Sequence, residues 1–381
     1  MSRPPAGPLA GIRVLEVGHV LAGPFGGMLL ADLGADVIKI EPIDGDLSRQ
    51  VGSNVVDGHN VYFASLNRNK RSVHIDLSTS EGQAELGKLA ATAHALLVNM
   101  RPATIRKLGL DYESLRHFNP KIVCVALTGY GLDGPASDWP AFDYVIQAGT
   151  GVAAMTGEPD GPPTLAGYSA VDNSTGAMAA LGLVAKVLEG KGGQVDVSLF
   201  DVMLSQLNYK AAAYLNGGEV PTRQPLGAHT FYVPAQLFET ASGHLALFVS
   251  HDEFWRRVCT EVGRPEWADD PRFSTMRTRF EHRDELLAGL GAEFQKASAA
   301  EWVARLRPLG IPVGEVVNLA DALDGDLVRS RGMVVAVDTP EGPLRMVGNP
   351  IRVTDATQEY RVPPRLHEHT RELLDGDDQA S

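Results

Sequence analysis

The sequence predicts an α/β protein built around a parallel sheet, and three observations predict it. Short apolar strands with little alternation recur through the first two hundred residues. Each is followed by a turn and a segment of helical spacing. Strands buried on both faces lose the polar–apolar alternation, and strand–helix–strand succession implies parallel pairing. At 381 residues the chain also exceeds what one hydrophobic core serves, so more than one domain is expected.

In order, residues 12–17 read as a strand, 25–33 as a helix and 37–40 as a second strand. Val73-His74-Ile75-Asp76 is another strand. The pattern repeats with a helix at 81–94, a strand at 95–98, a short helix at 112–118 and a strand at 122–126. From 128 to 167 glycine and proline dominate, so loops are predicted there. A small-residue helix is expected over 173–189, a strand over 194–197 and a long helix over 198–215. Gly217, Gly218, Pro221, Pro225 and Gly227 mark a linker. Residues 228–318 then read as a smaller unit with strands at 235–238, 244–249 and 311–317 and helices at 252–262 and 281–306. The reading is therefore a large domain over 1–215, a small α/β domain over 228–318, and a C-terminal segment over 319–381.

Composition limits the function classes. Hydrophobic content of 44% and charged content of 21% describe an ordinary globular protein. A net charge of −13 argues against nucleic-acid or membrane-surface partners. Residues 1–110 hold eleven Lys/Arg against ten Asp/Glu, so the acidity lies beyond them and an anionic ligand suits the N-terminal part. Cys124 and Cys259 are too few for a disulfide framework or a zinc cluster. Metal, P-loop and G-x-S-x-G patterns are absent. Met1-Ser2-Arg3-Pro4-Pro5 lacks a signal-peptide layout, and no run of about 18 apolar residues occurs. A cytoplasmic protein with no metal and no permanently bound cofactor is expected.

Asp172 opens the small-residue helix, within Gly167-Tyr168-Ser169-Ala170-Val171-Asp172-Asn173-Ser174-Thr175-Gly176. A carboxylate there faces free amides and the positive end of the helix dipole. It can cap the helix, worth about 1 kcal/mol, or serve as a nucleophile beside amides that stabilise an oxyanion, with those near Asn173 and Ser174 as candidates. The turn His19-Val20-Leu21-Ala22-Gly23-Pro24 lacks G-x-G-x-x-G spacing, and both close helix packing and an anion site remain open for it. Two basic clusters, Asn67-Arg68-Asn69-Lys70-Arg71-Ser72 and Met100-Arg101-Pro102-Ala103-Thr104-Ile105-Arg106-Lys107, are solvated loops or, acting together at strand ends, a phosphate site.

Several stretches resemble the class III CoA-transferases, and more distantly α-methylacyl-CoA racemase. They include residues 8–16, Ala31-Asp32-Leu33-Gly34-Ala35-Asp36-Val37-Ile38-Lys39-Ile40-Glu41-Pro42, residues 67–76, Thr128-Gly129-Tyr130-Gly131, Phe142-Asp143-Tyr144-Val145-Ile146-Gln147, and Gly348-Asn349-Pro350-Ile351-Arg352. The resemblance implies a Rossmann-like large domain built from both chain ends, an inserted small domain, and two subunits interlocked as a homodimer. It implies that Asp172 is the catalytic carboxylate. It also implies acyl-CoA and a carboxylic acid as partners, with CoA touched by His19, Val20, Arg68, Asn69, Lys70, Arg71, Asn99, Met100, Arg106 and Lys107. Leu21 stands where some members have Gln, and only Gly217-Gly218 stands for a glycine lid, which disfavours an oxalate- or formate-sized substrate. The racemase branch carries His where this chain has Phe142, so racemisation ranks below transfer. A non-catalytic CoA- or nicotinamide-binding module is the third reading.

Overall fold

A computed structural model describes residues 7–356 and 358–375. Its centre is a six-stranded sheet of β1 (Arg13–Val17), β2 (Asp36–Glu41), β5 (Arg71–His74), β6 (Ala95–Val98), β7 (Val123–Thr128) and β8 (Gly193–Ser198). A two-residue hairpin, β3 (Val55–Val56) with β4 (His59–Asn60), precedes β5. The order across the sheet is β5-β2-β1-β6-β7-β8, and every pair is parallel. Counted by appearance this is 3-2-1-4-5-6, the doubly wound order, in which the chain reverses direction between β1 and β6.

The helices on the sheet faces are α1 (Ala22–Asp32), α2 (Val61–Asn67), α3 (Ser80–Ala90), α4 (Pro102–Lys107), α5 (Tyr112–Leu115) and α6 (Asp143–Gly149). After α7 (Val152–Met155) come the twenty-residue α8 (Ala170–Glu189), α9 (Leu199–Gln206) and α10 (Asn208–Gly217). The central strands are buried on both faces, and Leu15, Ile38, Val73, Leu96, Val98 and Cys124 lie in one apolar cluster. Among the described residues no helix is long and apolar enough to cross a membrane.

The chain divides into two compact units. One takes the residues up to Thr150, Gly167–Ala212 and the residues from Asp326 onward. The other takes Gly151–Ala166 and Ala213–Gly325. The segment 151–166, read with the large domain, thus joins the smaller unit. Its Glu158 carboxylate accepts the Leu226 N–H at 2.9 Å, and its Gly161 carbonyl accepts from Arg223. In the smaller unit β9 (Ala235–Glu239), β10 (His244–Phe248) and β11 (Val313–Glu315) pair antiparallel. They pack on α11 (Asp252–Glu261), α13 (Arg283–Phe294) and α14 (Ala299–Leu306), with α12 (Met276–Glu281) beside them. The long helices expected over 198–215 and 281–306 are each broken. Asn208 takes φ +23° between α9 and α10, and Ser298 with Glu301 forms a capping box that starts α14.

The sequence of small residues in α8 has a packing reason. A Cβ on Gly176 would lie 2.4 Å from the Ala22 carbonyl oxygen, and one on Gly26 would lie 2.6 Å from the Gly176 carbonyl oxygen. α1 and α8 therefore cross backbone against backbone, which sets the start of α8 beside the start of α1. Gly176→Ala should destabilise the fold by about 1–3 kcal/mol through overpacking, measured as a lower midpoint in urea unfolding. An unchanged midpoint would show that the crossing is loose.

Candidate active site

The carboxyl ends of β1 and β6 part at the point where the strand order reverses, and the chain is tied across that gap. Asn99 accepts the His19 N–H at 2.8 Å and donates to the His19 carbonyl at 3.0 Å. Beyond this double bond opens a cavity of about 670 Å³. His19, Val20, Leu21, Asn99, Met100 and Asp172 line it, with Phe142 at the edge. A crevice at a switch point is where doubly wound sheets bind ligands.

A buried ionic cluster holds the turn that borders the cavity. Lys39 is fully buried and meets Glu16 at 2.9 Å, Asp46 at 2.8 Å and the Gly18 carbonyl at 2.8 Å. The ammonium beside Asp46 holds that carboxyl far below the carboxylate range, against the opposing effect of burial. Asp46 in turn accepts the Val20 N–H at 3.1 Å. Val20 sits at φ +62°, a left-handed conformation that costs a β-branched residue energy and persists only where neighbours impose it. The turn so held leaves the N–H groups of Leu21, Ala22 and Gly23, at the start of α1, with no partner among the described residues. Burial, reinforced by Lys39, pushes the His19 pKa down, so its ring is neutral at pH 7.

Asp172 is in the first turn of α8 and half-buried, and no hydrogen bond to its carboxylate occurs among the described residues. The capping role belongs to another residue. Asp143, at 5% exposure, accepts the N–H of Val171 at 2.7 Å and of Asp172 at 3.1 Å through one oxygen. Its other oxygen accepts from Gln147 at 2.5 Å. Burial, with the Asp143 charge second, raises the Asp172 pKa to about 6. Asp172 is thus ionised at neutral pH yet more basic than an ordinary carboxylate.

The residues singled out in the sequence divide into two sets. His19, Val20, Asn99, Met100 and Asp172 come together around the cavity. Arg68, Asn69, Lys70 and Arg71 do not. Arg68, Asn69 and Lys70 precede β5 and Arg71 opens it, at the strand's amino-terminal end rather than after a strand. Arg68 is 1% exposed, paired with Asp32 at 2.7 Å and donating to the Val347 carbonyl. Asn69 donates to Asp32 and to the Glu359 carbonyl. Lys70 meets Glu16 at 2.7 Å, and Arg71 bridges Asp36 and Glu372. Buried acids and the returning C-terminal segment consume this cluster.

The oxyanion candidates are corrected too. The Asn173 N–H donates to the Ser169 carbonyl at 3.1 Å, and Ser174 lies within the regular helix ladder. The free amides are those of α1. Arg106 and Lys107 end α4 in solvent, Arg106 at 4.0 Å from Asp138, and neither lines the cavity. Arg101 does line it, with no ion pair among the described residues. Its place directly after Met100 in the second basic cluster was the available signal. Asp143 was signalled only by its position in the matched stretch 142–147. Among the described residues no group of three His, Cys, Asp or Glu could hold a metal.

A doubly wound sheet whose switch-point crevice holds an unpaired carboxylate at a helix start has its chemistry where open α/β sheets bind their ligands. The chain belongs to CoA-transferase family III, whose pattern matches residues 9–370. It is 36% identical to a succinate–glutarate CoA-transferase of Agrobacterium fabrum, covering 96% of this chain and 95% of that protein. It is 33% identical to an acetyl-CoA:oxalate CoA-transferase of Acetobacter aceti, covering 96% of this chain and 94% of that one. The fold matches a crystal structure of a CaiB/BaiF family protein from Brucella suis at TM-score 0.83 and 33% identity, covering 97% and 99% of the two chains. It also matches a Mycobacterium tuberculosis protein at TM-score 0.85 and 30% identity, covering 97% and 100%.

The ionic cluster makes a stability prediction. Lys39→Met strands Asp46 and leaves Glu16 with Lys70 alone, so the variant should lose about 3–5 kcal/mol, read from urea unfolding. Adding Asp46→Asn should recover part of that loss. A Lys39→Met protein as stable as the parent would refute the role of the cluster.

Proposed function

We propose that this protein moves CoA from an acyl-CoA thioester to a free carboxylic acid, with Asp172 as the covalent nucleophile. The observation that carries the reading is an unpaired carboxylate at a helix start in the switch-point cavity, its capping duty taken by Asp143. An Asp172 oxygen attacks the thioester carbonyl, the C–S bond breaks, and an acyl–aspartyl anhydride forms as CoA thiolate leaves. The thiolate attacks the aspartyl carbonyl, expels the donor acid and gives an aspartyl–CoA thioester. An acceptor carboxylate then attacks that thioester, forms a second anhydride and frees the thiolate, which takes the acceptor acyl group and restores Asp172. Each intermediate is activated, so the exchange needs no external energy source. The unpartnered amides of Leu21, Ala22 and Gly23 supply donors for the developing oxyanion.

In this reading His19, Val20, Asn99 and Met100 hold the CoA arm, and Arg101, with Arg106 and Lys107 outside the cavity, meets its phosphates. Relatives named for succinate and glutarate support a dicarboxylic acid of that size as acceptor. Phe142 is 71% exposed at the cavity edge and has no proton to exchange, which favours transfer over racemisation. Met178, Leu181 and Leu188 on α8 and Leu204 on α9 are exposed apolar residues. They support a homodimer, interlocked as the family resemblance implies.

Asp172→Asn keeps the side-chain shape and removes the nucleophile. CoA exchange should fall by at least about a thousandfold, and intact-mass analysis after mixing with acyl-CoA should find no adduct. An Asn variant turning over normally would exclude covalent catalysis at this residue. In the parent enzyme, kcat/KM should fall as pH drops through about 6, because protonation removes the nucleophilic form of Asp172. A flat profile down to pH 4.5 would contradict this.

Arg101→Glu should raise KM for acyl-CoA about tenfold or more by replacing a charge-assisted contact with repulsion. It should change kcat little. An unchanged KM would place the phosphates elsewhere.

A further inference from the structure

Asp143 and Asp172 lie on different helices, 29 residues apart in sequence, yet the first holds the backbone amide of the second at 3.1 Å. Most helix-opening acids turn back to cap their own helix. Here the cap is delivered from α6, by a carboxylate at 5% exposure with a second tether to Gln147. Two consequences follow for Asp172. Its carboxylate is spared for the cavity, and a like charge is fixed close behind it.

We propose that Asp143 is a positioning residue for the reaction: it caps α8 in place of Asp172 and its negative charge favours the acylated, uncharged form of that residue. The charge balance is direct. Free Asp172 carries one negative charge that Asp143 repels. In the anhydride and the aspartyl thioester that charge has left with the thiolate or the departing carboxylate, so the repulsion is relieved at each acylation. The same repulsion makes Asp172 a more basic nucleophile. The inference rests on Asp172 being the nucleophile.

Other ionisable groups around α8 leave Asp143 as the charge acting on Asp172. Tyr62 on α2 is pushed up by burial and by Asp172 itself, and is neutral at pH 7. The charges of Asp201 on α9 and Asp133 fall on Asp196 of β8. Lys39 and Asp46 are paired with each other.

Asp143→Asn separates cap from charge, since its amide oxygen still accepts the two N–H groups. Asp143→Ser, a second neutral capping residue, replaces it should the amide disturb packing against Gln147. The readout that needs no turnover is modification of Asp172 by a water-soluble carbodiimide, which takes protonated carboxyl groups, followed across pH by peptide mass spectrometry. The midpoint should fall by about one pH unit, with burial still holding it above the ordinary ~3.9. In the assay kcat should fall up to about tenfold, the rate equivalent of one such unit, while KM for acyl-CoA stays within about twofold. Asp143→Ala, which loses the cap as well, should fall further in kcat. An unmoved midpoint with parental kcat in the neutral variants would overturn the proposal, as would a change confined to KM. If Asp172→Asn itself stays active, the nucleophile reading fails, and the carbodiimide midpoint still reports whether the two carboxylates are coupled.

Discussion

The Lys39 ammonium, fully buried between Glu16, Asp46 and the Gly18 carbonyl, is the interaction on which the site depends. Two carboxylates inside a sheet-and-helix core would each cost several kcal/mol if left unpaired. With Lys39 in place they become rigid acceptors. Asp46 then has geometry to spare and takes the Val20 amide, holding that residue at φ +62°. The turn after β1 is bent by this chain of contacts. It leads into α1, whose first amides, like those of any helix, have no intrahelical partner, with Leu21 and Ala22 lining the cavity.

The second dependency is the crossing of α1 on α8. Gly26 and Gly176 let two backbones touch, so the start of one helix and the Asp172 carboxylate of the other border one crevice. Neither helix forms the site alone. Asn99 closes the arrangement by bonding His19 twice across the switch point, so the cavity wall is tied to the middle of the sheet. Electrostatic preorganisation of this kind needs donors that are fixed before the substrate arrives. Helix starts anchored to sheet strands meet that requirement better than loops.

Much of the large unit was legible because its signals are local. Apolar runs with little alternation mark strands covered on both faces, and the six strands of the large sheet lie within a residue or two of their expected places. Asp172 at a helix start was legible for the same reason, since a carboxylate there has few roles. The basic run Arg68-Asn69-Lys70-Arg71 misled. A charge reads identically in sequence whether it meets solvent, a phosphate or a buried acid, and here Asp32, Asp36 and Glu16 were the partners. The Asn173 and Ser174 amides are consumed by helix hydrogen bonding, while amides without a partner among the described residues lie far away in sequence at Leu21–Gly23.

By itself the sequence determined the parallel sheet, the crossover helices, the carboxylate at the start of α8, and the family resemblance. These rest on spacing and residue type along a continuous stretch of chain. Only the tertiary structure decided which basic residues are spent on buried acids, which amides stay free, that Arg101 faces the cavity, and that Asp143 rather than Asp172 caps α8. Each of those outcomes is a pairing between distant segments. Burial and competition for partners settle such pairings, and neither is written in local order.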